Sequence, residues 1–161
     1  MALDPETLDQ LLTTLRKFVE EKLVPLEAQV AEDDRVPPEI VDQMKELGLF
    51  GLSIPEQYGG LGLNMEEEAL AVIELSRTSP AFRSVFGTNV GIGSQGIVID
   101  GTLEQKQKYL PRLATGEMIS SFALTEPEAG SDAGSLRTSA RKEGNGYVLN
   151  GTKRFITNAM F

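Results

Sequence analysis

Ala123–Ser135 reads ALTEPEAGSDAGS and decides how the rest of the chain is read. It follows a short apolar run, Ile119–Phe122, and packs turn-forming residues densely. Thr125, Ser131 and Ser135 offer hydroxyls, while Gly130 and Gly134 let backbone N–H groups approach a ligand closely. A second cluster, Lys153-Arg154-Phe155-Ile156-Thr157-Asn158, follows downstream. A phenyl ring beside a threonine hydroxyl suits packing along a flat ring system and bonding to its edge. Together the two clusters describe a surface for a flat, polar-edged, phosphorylated ligand. The plainer alternative is a glycine-rich connection between two elements. Glu126, Glu128 and Asp132 invite a general-base reading, but in so turn-rich a stretch they are better suited to fixing turns or facing solvent.

Working outward, the chain changes character after Gly116. Ile119–Leu124, Leu136–Lys142, Tyr147–Asn150 and Lys153–Thr157 suit strands, and Glu143-Gly144-Asn145-Gly146 carries the Asn-Gly hairpin signal. Everything before Gly116 reads as helices. Asp4 caps the first, with Pro5 at its first helical position. Leu8, Leu12, Leu15, Val19, Leu23, Leu26 and Val30 then recur at spacings of three and four, one apolar face that Pro25 must interrupt. Pro37-Pro38 opens a short helix over Glu39–Leu47 that Gly48 ends. After a loop over Ser53–Leu63, Asn64 with Glu67 and Thr102 with Gln105 form capping boxes. They open helices over Met65–Arg77 and Leu103–Leu113. Ala81–Asp100 is apolar and dotted with glycine, which suggests one tightly packed buried helix. Met44, Met65, Phe82 and Phe86 read as core residues. The fold class is therefore α+β: an all-α helical bundle domain over residues 1–118, then the incomplete start of a β-barrel domain over residues 119–161.

Composition narrows the chemistry. The 161 residues contain no cysteine and no histidine. That excludes disulfides, thiolate and imidazole metal sites, cysteine nucleophiles and Ser-His-Asp triads. The net charge is −9 and uneven. Residues 119–161 carry five basic and four acidic groups, whereas the first 118 carry 10 and 20. A nucleic-acid partner finds no basic footprint in the acidic part, and an anionic small ligand is better received by the C-terminal part. No apolar run is long enough to span a membrane. Met1-Ala2-Leu3-Asp4-Pro5-Glu6 has neither the basic nor the apolar region of a leader, so the expected location is cytoplasmic.

Gly91-Ile92-Gly93-Ser94-Gln95-Gly96 matches the G-x-G-x-x-G dinucleotide fingerprint in letters. That motif needs a strand before it and a full crossover helix after it. Only Ile97–Asp100 separates Gly96 from Gly101, so small residues at a helix crossing explain the glycines better.

These landmarks resemble the acyl-CoA dehydrogenase family over nearly the whole chain. Ala123–Ser135 is similar to the first family signature without departure. Glu46-Leu47-Gly48-Leu49, Ile54–Gly62 (IPEQYGGLG), Gln105–Pro111 (QKQKYLP) and Asn150–Asn158 (NGTKRFITN) stand in the family's order. The resemblance implies an FAD cofactor. Phe122, Ala123, Leu124 and Thr125 would line the flavin, with Thr125 bonding its pyrimidine side. Gly130 and Ser131 would meet the pyrophosphate, and Ser131 would also lie near the pantetheine or phosphate part of an acyl-CoA substrate. Phe155, Ile156 and Thr157 would cover one flavin face, Thr157 reaching toward N5. Many relatives have tryptophan where this chain has Phe155.

The family reaction is α,β-dehydrogenation of an acyl-CoA: a glutamate base takes the α-proton and the β-hydride passes to flavin N5. The resemblance puts that base beyond Phe161, along with most adenine contacts and the acyl-pocket walls, so no catalytic residue and no metal ligand is expected within these residues. It also implies an electron-transfer flavoprotein as acceptor and a homotetramer. Two alternatives stay open: an acyl-CoA oxidase or flavin monooxygenase on the same scaffold, and a non-catalytic helical interaction module.

Overall fold

Asp4 starts the first helix as its sequence position suggests. In the computed structural model, which describes residues 3–160, Asp4 Oδ1 accepts from the N–H groups of Glu6 (3.1 Å) and Thr7 (3.0 Å). Met1 and Ala2, from the opening read for a leader, and Phe161, where the sheet was expected to stop, lie outside the described residues. Helix α1 then runs over Pro5–Phe18.

Pro25 has no N–H to donate to the carbonyl one turn back, so the ladder must shift before it arrives. Val24 N–H reaches the carbonyl of Val19, making a π-turn over Val19–Leu23, and a 3-10 turn over Val24–Leu26 carries the proline. Helix α2, Glu27–Asp33, resumes beyond it. The break predicted at Pro25 is therefore present, and the π-turn absorbs one extra residue without losing the buried positions Val19 and Leu23.

Helix α3 spans Pro38–Glu46 and stops at Gly48, whose φ is +73°. Short 3-10 turns at Leu49–Gly51 and Glu56–Tyr58 occupy the stretch before α4, Met65–Leu75. The α4 capping box is complete: Glu67 N–H donates to Asn64 Oδ1 (3.0 Å), and Asn64 N–H to Glu67 Oε2 (2.8 Å). The second box, Thr102 with Gln105, opens α7 at Leu103–Ala114. Leu15, Leu23, Met44, Phe50, Leu52, Phe82 and Phe86 form the centre of the helical core. The rings of Phe50 and Phe86 meet edge to face at 6.3 Å. Glu74, buried at the end of α4, is held by Arg16 from α1 and by Arg77.

Two helical expectations need correction. Ala81–Asp100 is not one buried helix but two, α5 over Pro80–Val90 and α6 over Gln95–Asp100. Gly91 leaves helical geometry (φ −93°, ψ −110°), and Gly93 turns its N–H to Thr88 O at 2.8 Å. A Cβ at Gly93 would strike Thr88 O and Ser120, so the chain can fold back there only as glycine. No residue of α6 is buried. Met65, read as core, is 88% exposed, because the first position of α4 faces away from the helical core.

The described residues form two compact units that divide between Ser120 and Ser121. In the second, β1 (Ser139–Glu143) pairs antiparallel with β2 (Gly146–Asn150), Ser139 opposite Asn150 and Glu143 opposite Gly146. The expected hairpin forms, but its two central residues are Gly144 and Asn145 rather than Asn145 and Gly146. Only Gly144 has positive φ (+60°), the pattern of a type II′ turn. The strand expected from Leu136 begins at Ser139, because the N–H groups of Arg137 and Thr138 are taken by the carboxylate of Glu126.

The other two expected strands are absent from the described ladders. Ile119–Leu124 lies in no ladder; Leu124 N–H instead bonds the carbonyl of Phe122 two residues back (3.1 Å). Lys153–Thr157 is interrupted at Phe155, whose φ of +57° is incompatible with an extended run. The α+β class holds: a helical unit followed by a two-stranded sheet.

Candidate functional site

Glu126 organises the unit that carries every candidate site residue. Its backbone and that of Ala129 exchange hydrogen bonds (2.9 and 3.2 Å), closing a tight turn with Pro127 at the second position, where its fixed φ belongs. Both turn ends are buried: Glu126 is 5% exposed and Ala129 2%. Such a carboxylate needs partners, and it has four. It accepts from Arg137 N–H (2.6 Å), Thr138 N–H (2.9 Å), the Thr138 hydroxyl and Lys153 Nζ (2.9 Å). The Thr138 hydroxyl, the Arg137 N–H and the Lys153 ammonium hold its carboxyl well below the ordinary value of 4.5, at about 2. Glu126 is thus a permanent anion at neutral pH, saturated with donors. The turn-fixing reading of this residue is the one the geometry supports.

Lys153 does a second thing. Its Nζ also donates to the carbonyl of Leu124 at 2.9 Å. The next residue, Arg154, donates its backbone N–H to the carbonyl of Thr125 at 2.9 Å. Two consecutive carbonyls of one cluster are therefore tied to two consecutive residues of the other.

Around this anchor the candidates sit as follows. Phe122 is 45% exposed and Phe155 80%, large apolar surfaces left open within a small unit. Ala123, Gly130, Ser131 and Thr157 are exposed; Leu124, Thr125 and Ile156 are half-buried. The Arg154 guanidinium lies 4.4 Å from the centre of the Phe155 ring. The ties bring the segment ending at Thr125 beside the one leading into Phe155. Gly130 and Ser131 follow directly on the Glu126–Ala129 turn, and among the described residues no hydrogen bond joins them to the 153–157 segment.

The donor chemistry fits a polar-edged, phosphorylated ligand. The hydroxyls of Thr125, Ser131 and Thr157 have no hydrogen-bond partner among the described residues, whereas the neighbouring Thr138 and Ser135 hydroxyls are engaged. Gly130 has neither a positive φ nor a neighbour that an added Cβ would touch within 4 Å, so nothing in this chain requires glycine there. Among the described residues no group of carboxylates or imidazoles could hold a metal ion. The G-x-G-x-x-G letters at Gly91–Gly96 join two helices, with no strand before them, and do not form a dinucleotide site.

The sequence reading did not single out Lys153 or Thr138 as site-organising residues. A signal existed: a glutamate that must be buried in a turn, followed downstream by a lysine inside a second polar cluster. Pairing across that separation is visible only in three dimensions.

A helical unit is thus followed by a second unit that holds a two-stranded sheet and, in the loops on either side of it, the hydroxyls of Thr125, Ser131 and Thr157. Residues 5–117 match the model of the acyl-CoA dehydrogenase N-terminal domain, and residues 121–161 match that of the middle domain. The chain is similar to an acyl-CoA dehydrogenase of Bacillus subtilis, 42% identical over 89% of this chain and 38% of the relative. It is equally similar to the human mitochondrial short-chain specific acyl-CoA dehydrogenase, 42% identical over 96% of this chain and 38% of the relative. Among solved structures, the acyl-CoA dehydrogenase of Bacillus anthracis complexed with FAD superposes with a TM-score of 0.84. It is 40% identical, and the match covers 99% of this chain and 28% of that one. The chain belongs to the acyl-CoA dehydrogenase family. It spans less than two-fifths of the length of these two curated relatives.

Proposed function

We propose that this chain contributes the helical domain and the first part of the flavin-binding β-domain of an FAD-dependent acyl-CoA dehydrogenase. The observation that carries the reading is the set of three unpartnered hydroxyls, Thr125, Ser131 and Thr157, in the one unit that also exposes Phe122 and Phe155. When bound, FAD supplies the two-electron acceptor for α,β-dehydrogenation of an acyl-CoA thioester. The residues here bind and orient it. Phe122, Ala123, Leu124 and Thr125 line the flavin, the Thr125 hydroxyl meeting its pyrimidine edge. Phe155, Ile156 and Thr157 cover a face, and Thr157 faces N5. Gly130 leaves room for the pyrophosphate beside Ser131, which also contacts the acyl-CoA.

The domains in this reading are residues 1–118 and 119–161, and the glutamate base lies in a part of the whole protein outside these residues. Glu126 is poorly suited to be that base: its buried carboxylate is engaged by four donors, which hold its carboxyl well below the ordinary value and make it a weak proton acceptor. Electrons pass on to an electron-transfer flavoprotein, and the whole protein is a cytoplasmic homotetramer.

The test is a Thr125→Val, Thr157→Val double variant of the whole protein. The reading expects reduced flavin occupancy and turnover while the helical unit keeps its melting temperature. Unchanged flavin content and turnover would overturn the assignment of these hydroxyls.

A further inference from the structure

The Glu126–Lys153 pair stands apart from the proposed ligand-facing groups. Lys153 is only 23% exposed at its side chain and Glu126 4%, so this is an ion pair largely shielded from water. Buried pairs of this kind often give little net stability over an apolar replacement, and in some proteins they fix geometry instead. What this one fixes can be read from its other bonds. Glu126 holds the start of the 137–138 segment through two backbone N–H groups and a hydroxyl. Lys153 holds the Leu124 carbonyl, and Arg154 N–H holds the Thr125 carbonyl.

The Leu124–Thr125 peptide plane is therefore pinned from one side by Lys153. Pinning that plane sets where the Thr125 N–H and side chain point. The same pair sets the start of the 153–157 segment, in which Phe155 is held at φ +57°. A bulky residue in the left-handed region is strained and persists only where its surroundings over-determine it. Here Lys153 and Arg154, the two residues before it, are both bonded across to the 124–126 segment.

We propose that Lys153, held by Glu126, is a positioning residue for flavin: it sets the spacing between the 122–125 and 155–157 segments by binding the Leu124 carbonyl. The inference rests on the FAD reading above. Lys153 touches no cofactor in this account; it acts through Leu124 and Phe155.

The test uses the whole protein with FAD as the probe, comparing Lys153→Met, Lys153→Arg and Glu126→Gln with the parent. Each is measured for FAD dissociation constant, flavin reduction potential and far-UV melting. Lys153→Met keeps the aliphatic stem but leaves the Leu124 carbonyl and the Glu126 carboxylate short of a charged donor. It is expected to weaken FAD about tenfold and to move the reduction potential. Lys153→Arg retains a cation and is expected to recover most of both. A parent that takes up no FAD sinks the functional reading itself. A parent that binds FAD, with Lys153→Met matching it in affinity and potential, sinks this inference alone. So does a Lys153→Met whose only change is a lowered melting temperature, with no shift in potential and no recovery in Lys153→Arg.

Discussion

At the scale of single residues, Glu126 shows what burial demands of a charge. Its carboxylate is lowered from an ordinary value of 4.5 to about 2 by a hydroxyl, backbone N–H groups and an ammonium. The sign of the consequence follows. The unfolded chain binds the proton more readily than the folded one, so the pairing contributes its full stability above pH about 4.5. That contribution is lost as pH falls from there through about 2. Acid titration of the Arg137 and Thr138 amide exchange rates should show protection falling within that window. Glu126→Gln should show weaker protection at neutral pH and a flatter profile; an identical profile in the two proteins would mean another group sets it. Gly60 makes a purely steric prediction. A Cβ there would sit on the carbonyl oxygens of Ile54 and Gly51, which are backbone atoms and cannot rotate aside. Gly60→Ala should cost about 3 kcal/mol in denaturant unfolding, whereas Gly59, with open space but a φ of +83°, is strained by conformation alone.

At the scale of elements, the capped helices and the hairpin followed local rules, whereas the Ala81–Asp100 helix and two of the four expected strands did not. Asn64 and Thr102 each announce a helix start because the cap is made by residues three apart, so the sequence carries the whole interaction. Asn64→Ala should destabilise the helical unit by about 1 kcal/mol in chemical denaturation and leave flavin binding untouched. Pro25 announces a break for the same reason, since the missing N–H is a property of that residue. The Ile119–Leu124 and Lys153–Thr157 segments have strand-like composition, yet a strand exists only where a partner offers a ladder. Arg154 N–H and Lys153 Nζ go to single carbonyls of the other segment instead. Gly91 and Gly93 misled for a different reason: glycine inside an apolar run suits close helix packing and a chain reversal equally. The reversal is decided by the approach of Thr88 and Ser120, neither of which is visible in the local pattern.

At the scale of the molecule, the family and the α+β class were legible because the landmarks are spread over both units. The composition added exclusions that the structure has no occasion to revisit, since a chain without histidine or cysteine cannot build their sites. The candidate site was legible as a set of hydroxyls and rings but not as an arrangement: the cross-links through Lys153 and Arg154 belong to tertiary structure. Among the described residues no helix is long and apolar enough to cross a membrane. On the proposed function, this chain is part of a protein that holds FAD for oxidation of an acyl-CoA. The direct measurement is the visible spectrum of the whole protein under anaerobic titration with a series of straight-chain and branched acyl-CoAs. The account predicts a bound-flavin spectrum that bleaches stoichiometrically with at least one of them. A protein purified and reconstituted with FAD that shows no bound flavin, or whose flavin stays oxidised with every acyl-CoA in the series, would contradict it.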